Sequence, residues 1–103
     1  MEFQNVTAIA EANVYFEGRV VSHSIIMPDG TKKTLGVVLP GDYHFDTGVP
    51  EQMEIIAGSC EVVIEGTNQT DTYRRGSSFK IPADSSFTII VSGRPCHYVC
   101  SYL

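Results

Sequence analysis

Three residues in the stretch GDYHFDTGVPEQMEIIAG (41–58) have the types and spacing of a metal site: His44, Asp46 and Glu51, with Gly58 closing the stretch as a turn. An imidazole and two carboxylates can hold Mn²⁺ or Fe²⁺, because oxygen-rich donor sets suit hard divalent ions. A small barrel could aim all three inward. Cations are scarcer: seven Lys and Arg stand against twelve Asp and Glu, a net charge of −5. That balance gives no general attraction for nucleic acid or an anionic membrane, so an anionic ligand must be met by local positive charge. Arg19 in YFEGRVVS is the first candidate, Arg74 and Arg75 beside Gly76 read as a solvated pair, and Lys32 and Lys33 after PDGT read as a charged turn. His23 and His97 read as surface residues. Cys60, Cys96 and Cys100 are odd in number, form no CxxC pair and are expected as reduced, buried thiols.

These side chains must be carried by strands. YFEGRVVSHSIIM, KKTLGVVLPG, QMEIIAG, SCEVVIEG, SSFKIP, SSFTIIVSG and CHYVCSYL are short, rich in Val, Ile, Tyr and Phe, and separated by Gly, Pro, Asp and Asn. Turns are expected at 28–31, 40–42, 66–71 and 92–95, a tight hairpin at AGSC (57–60), and a helical turn within 5–12. Many short strands with this spacing mean a sandwich or barrel, and 103 residues mean one domain, with 1–12 as an extension and the first strand from about 13. Period-two alternation places Val62 with Ile64 on one face, and Tyr98, Cys100 and Tyr102 together on another. No apolar run reaches the roughly 20 residues of a membrane span. The N-terminus has neither a basic nor a continuous apolar segment, so a cytoplasmic location is expected. A small barrel with open sheet edges is expected to pair as a homodimer.

A second spaced motif, Gly76-x5-Pro82-x-Asp84-x2-Phe87, follows the first. The pair resembles the two motifs of cupins, and the resemblance implies an all-β, double-stranded β-helix (jelly-roll) barrel. Cupins that hold a metal carry a further His where Asp46 stands and another where Phe87 stands. Asp84 replaces a motif glycine, and Gly36 lies two residues too early for another. NVYFEGRVVS, TLGVVLPGDYHF, VPEQMEIIAGSCEV, RRGSSFKIPADSSF and YVCSYL together resemble the pyrimidine/purine nucleoside phosphorylases, tiny single-domain cupins, from about Asn13 to Leu103. That resemblance implies cleavage of diverse nucleosides by inorganic phosphate to ribose 1-phosphate and free base, with no metal or other cofactor.

Such a reaction needs placement and electrostatics more than a generated nucleophile, since phosphate is already an anion. Arg19 is the expected phosphate ligand, by the forked geometry of a guanidinium. Glu51 is expected to accept hydrogen bonds from the ribose 2′- and 3′-hydroxyls and to favour the cationic sugar of the transition state. Met53 shares its face and can pack on the sugar. Phe79, Phe87 and Tyr98 can floor the base by stacking, and Tyr43, His44 and Tyr98 are possible donors to the leaving group. Two other readings stay open: a metal-dependent cupin using His44, Asp46 and Glu51, and a non-catalytic cupin that binds a small molecule.

Overall fold

The computed structural model describes residues 1–103. Eleven strands occur in chain order: β1 Thr7–Ala8, β2 Asn13–Tyr15, β3 Val20–Ile26, β4 Lys32–Val38, β5 Gly41–Asp46, β6 Glu51–Ala57, β7 Ser59–Ile64, β8 Asp71–Arg74, β9 Ser78–Ile81, β10 Ser86–Val91 and β11 Cys96–Tyr102. The larger, seven-stranded sheet runs β1-β3-β4-β11-β6-β9, with β2 also paired to β3; the smaller runs β5-β10-β7-β8. All pairings are antiparallel. The two sheets face each other across one core, as the cupin double-stranded β-helix does.

Alternation decides what enters that core. Along β3 and β4 the inward positions are Val20, Ser22, Ser24 and Thr34, Gly36, Val38. Along β6 they are Glu51, Met53 and Ile55, along β10 Phe87, Ile89 and Val91, and along β11 Cys96, Tyr98 and Cys100. The aliphatic and thiol members pack as one cluster in which Val20, Val38, Ile55, Val62, Ile81, Ile89 and Cys96 are at most 2% exposed. All three cysteines are free and buried.

Several local expectations change in three dimensions. Residues 5–12 make no helical turn; Thr7–Ala8 instead pair with Ile25–Ile26 as a short strand ahead of the expected start near 13. The 3₁₀ turn sits at Phe16–Gly18, interrupting what reads as one continuous strand. Phe16 and Glu17 there have φ of 52° and 58°. The strain is offset where the Phe16 ring packs 5.1 Å from Tyr43 and 5.4 Å from Phe45. GDYHFD and DTYR, which overlap the turns expected at 40–42 and 66–71 and are not among the expected strands, form β5 and β8. AGSC is not a hairpin: β6 and β7 belong to different sheets, so Gly58 (φ +77°) is a corner at which the chain changes layer. A Cβ there would lie 2.6 Å from the Pro95 carbonyl oxygen, which keeps the corner to glycine. Asp84 holds φ +51°, the left-handed conformation a motif glycine would supply and one that Asp tolerates better than most residues.

Candidate functional site

The barrel is hollow at one end. A cavity of about 170 Å³ opens between the sheets. The two walls differ in chemistry. The larger sheet contributes Ser22, Thr34, Glu51, Met53, Tyr98, Cys100 and Tyr102, with Tyr15 and Val38; the smaller contributes Phe45, Phe87 and Ile89, with Asp46 at the rim. One wall presents hydroxyls, a thiol and a carboxylate; the other is made almost wholly of rings and an aliphatic chain.

Glu51 begins β6 and pairs in register with Tyr102, while Met53 pairs with Cys100. The Cys100 thiol donates to Glu51 Oε1 at 3.5 Å, and the Tyr102 hydroxyl lies 3.5 Å from Thr34 Oγ1. Burial lifts the Glu51 carboxyl above its ordinary 4.5, and the Cys100 thiol partly offsets this. Burial, reinforced by the Glu51 charge, pushes Cys100 up to about 12, and burial takes Tyr102 to about 12. The Tyr98 phenol is raised chiefly by burial, opposed by the Ser22 side chain. At neutral pH the polar wall therefore presents neutral hydroxyl and thiol donors around one carboxylate.

Tyr98 owes its position to Gly36. The two pair across β11 and β4, and a Cβ on Gly36 would fall 2.2 Å from Tyr98 Cζ and 2.5 Å from its hydroxyl oxygen. The phenol thus lies over a bare stretch of β4, toward Ser22, which Gly36 also pairs. Asn13 fixes that row by donating to Ser22 Oγ and Ser24 Oγ, each at 3.2 Å. The aromatic wall is set by contacts of its own: Phe45 stacks on Phe87 at 5.8 Å and meets Tyr15 edge-on at 5.7 Å.

Of the residues named from sequence, Glu51, Met53, Phe87 and Tyr98 come together in the cavity. Four do not. Arg19 follows the 3₁₀ turn as an exposed residue one position before inward-facing Val20, so its side chain leaves the barrel. His44 alternates with buried Tyr43 and points outward, 60% exposed, against Thr88 Oγ1 and Asp46. Tyr43 is buried but its hydroxyl is used on the Pro40 carbonyl at 3.0 Å. Phe79 is core, stacked 4.4 Å from Tyr73 and edge-on to Phe87. Ser22, Thr34, Phe45 and Tyr15 escaped the sequence reading, although alternation from Val20, Val38 and Tyr43 points the first three inward. Cys100 and Tyr102 were legible as partners of Tyr98.

The metal reading fails on the same alternation. His44 lies on the outer face of β5 and Asp46 at the exposed rim of the cavity, Glu51 on the inner face of β6, and an apolar ring fills the facing position at Phe87. No three His, Cys, Asp or Glu side chains converge as a ligand set. The donors present do not fit a divalent ion.

Residues 10–102 match the family model described as pyrimidine/purine nucleoside phosphorylase. Proteins of that name from Aromatoleum aromaticum and Thiobacillus denitrificans are 52% and 50% identical to this chain. The alignments cover 98% and 97% of it, and 94% and 96% of those proteins. A crystal structure of a protein of unknown function from Acinetobacter sp. ADP1 superposes with a TM-score of 0.96 at 44% identity, over 99% of this chain and 98% of that one. The chain belongs to the pyrimidine/purine nucleoside phosphorylase family.

Proposed function

We propose that the chain is a nucleoside phosphorylase, cleaving the N-glycosidic bond of purine and pyrimidine nucleosides with inorganic phosphate. The observation that carries this is the division of the cavity into a hydroxyl-and-carboxylate wall and an aromatic wall, in a chain of this family. The ribose faces the larger sheet. Glu51 accepts hydrogen bonds from the 2′- and 3′-hydroxyls, and Met53 packs beneath the ring. The base lies against Phe45 and Phe87, where stacking accepts any π-face. Tyr98 is the one expected leaving-group donor that reaches the cavity.

As a phosphate oxygen bonds to C1′, the C1′–N bond breaks and its electron pair leaves with the base, which takes up the proton that the attacking phosphate gives up, passed on by the Tyr98 phenol or solvent. Positive charge spreads over the sugar in between, and the Glu51 carboxylate stabilises it across a partly desolvated gap. No group has to be oxidised or activated, so phosphate as co-substrate suffices and no cofactor enters. The test is direct: incubation with uridine or adenosine should release uracil or adenine only when phosphate is present, and chelators should leave the rate unchanged. Tight nucleoside binding without base release would favour the non-catalytic reading.

The outer face of the larger sheet supports a homodimer. Ile25, Leu35, Val37, Ile56 and Val99 form an apolar groove there, bordered by Met1, Phe3 and Val6. Sedimentation at micromolar concentration should give twice the 11.3 kDa chain mass. No helix is long and apolar enough to cross a membrane, and a cytoplasmic location fits three free, buried thiols.

A further inference from the structure

The cavity wall contains Glu51 and Asp46 but no Lys or Arg. A phosphate ion brought beside those carboxylates would meet hydroxyl donors but no positive charge to offset the repulsion. We propose that Lys32, at the cavity mouth beside Tyr102, is the residue that binds the phosphate co-substrate; this rests on the phosphorolytic reading above.

Register singles it out. Lys32 pairs with Ile26, and Thr34 pairs with Cys100, so continuing the ladder brings Lys32 abreast of Tyr102, which itself pairs with Glu51. Lys32 shares the inward face of β4 with Thr34 but lies where the strand emerges from the barrel, so it is exposed. The Lys32 ammonium sits 5.2 Å over the centroid of the Tyr102 ring. Tyr102 lines the cavity and its hydroxyl reaches Thr34 Oγ1. The other cations in strands face away. Lys33 donates to Ser101 Oγ at 2.6 Å on the outer surface, while Lys80 and Arg74 alternate outward from Phe79 and Tyr73.

The row Lys32–Tyr102–Glu51 crosses three adjacent strands. At an inter-strand spacing of about 4.8 Å, the ends of the row are roughly 10 Å apart. A phosphate held by the ammonium and the two hydroxyls would thus sit beside a ribose held by Glu51, with the base on the far side against the smaller sheet. Nucleophile, C1′ and leaving group then lie across the cavity in the order that displacement requires. Charge-assisted contacts of this kind are the strong ones, so loss of the ammonium should weaken phosphate capture markedly.

The experiment compares Lys32→Met, Lys32→Arg and Lys33→Met with wild type at fixed ionic strength, with thermal unfolding to verify that each is folded. The KM for phosphate should rise roughly ten- to hundredfold in Lys32→Met. The KM for nucleoside should stay near wild type, Lys33→Met should be unchanged, and Lys32→Arg should recover most of the loss. A Lys32→Met variant with phosphate KM within twofold of wild type overturns the proposal, as does an equal rise in Lys33→Met. If wild type releases no base with phosphate, the phosphorolytic reading itself is wrong. Titration of inorganic phosphate followed by ³¹P NMR then decides: binding weakened in Lys32→Met alone keeps Lys32 as an anion site, and equal or absent binding overturns it.

Discussion

Replacing Gly36 by Ala should damage the protein through Tyr98, with little contribution from the β4 backbone. The added methyl would start 2.2 to 2.5 Å from three atoms of the Tyr98 ring and hydroxyl. Comfortable carbon contacts are about 3.5 Å, so the ring must retreat by more than about 1 Å. Tyr98 is 9% exposed, flanked by core on one side and the cavity on the other, so the open direction is into the cavity. Overpacking of this kind costs about 1–3 kcal/mol, partly offset by about 0.4–1 kcal/mol from restricting the unfolded chain. A net loss of about 1–2 kcal/mol corresponds to a Tm lowered by roughly 4–16 °C in a domain of this size. The assay is a double-mutant cycle by urea unfolding with Gly36→Ala, Tyr98→Leu and both together. In the Tyr98→Leu background the alanine should be neutral or slightly stabilising, a coupling of at least about 1 kcal/mol. Base release from uridine should fall in Gly36→Ala by more than the loss of folded protein explains. A Gly36→Ala penalty that persists without the Tyr98 ring, or no penalty at all, refutes the reasoning.

Other consequences follow from Glu51 and its surroundings. Because its folded-state pKa is raised, the protonated form is the one folding favours. Its contribution is therefore fully present below the unfolded value and lost as pH rises through the folded one, so Glu51→Gln should stabilise the protein at pH 7.5 and have no effect near pH 4 in urea unfolding. The same variant should lose roughly 10²-fold or more in kcat, by analogy with removal of one preorganised electrostatic group. Cys100→Ala removes the hydrogen bond that holds the Glu51 pKa down, so the acid limb of the pH–rate profile for base release should move to higher pH. Arg19→Ala and His44→Ala, both outside the barrel, should keep kcat/KM within about twofold and stability within about 0.5 kcal/mol.

The sequence discloses those parts of the site that local alternation decides. Glu51 and Met53 fall on one face of β6, and Tyr98, Cys100 and Tyr102 on one face of β11, because a strand has no other periodicity to adopt. The same rule, applied inside GDYHFD, sends Tyr43 and Phe45 inward and turns His44 and Asp46 to solvent. Motif spacing pointed the other way and misled. What pairing alone decides was not legible. Gly58 has the chemistry of a hairpin turn, yet whether the next strand pairs with β6 or crosses to the other layer depends on partners about thirty to forty residues further on, in β10 and β11. Lys32 likewise follows a turn in sequence, but the Lys32–Tyr102 contact forms only because β4 and β11 are neighbours in the sheet.

The division of the cavity between two sheets also bears on how one small pocket can accept both purines and pyrimidines. A wall that hydrogen-bonds a substrate group rejects analogues lacking it by roughly 10⁴–10⁵, because its own polar atoms are left unpaired. A wall of rings and methyls separates substrates by only about 10–200-fold. Here the inward groups that read hydrogen bonds, among them Glu51, Thr34, Tyr98 and Tyr102, come from the larger sheet, and the smaller sheet supplies Phe45, Phe87 and Ile89, with Asp46 only at the exposed rim. In the proposed arrangement a ribose held against the first wall is common to every nucleoside, whereas the base, the part that varies, lies against surfaces indifferent to its edge pattern, with the Tyr98 phenol as its single polar contact. Breadth toward the base and demand toward the sugar are then one property of the fold. The outward turn of His44 and the use of the Tyr43 hydroxyl by Pro40 sustain it, because an inward His44 or a free Tyr43 hydroxyl would have given the aromatic wall a polar reader.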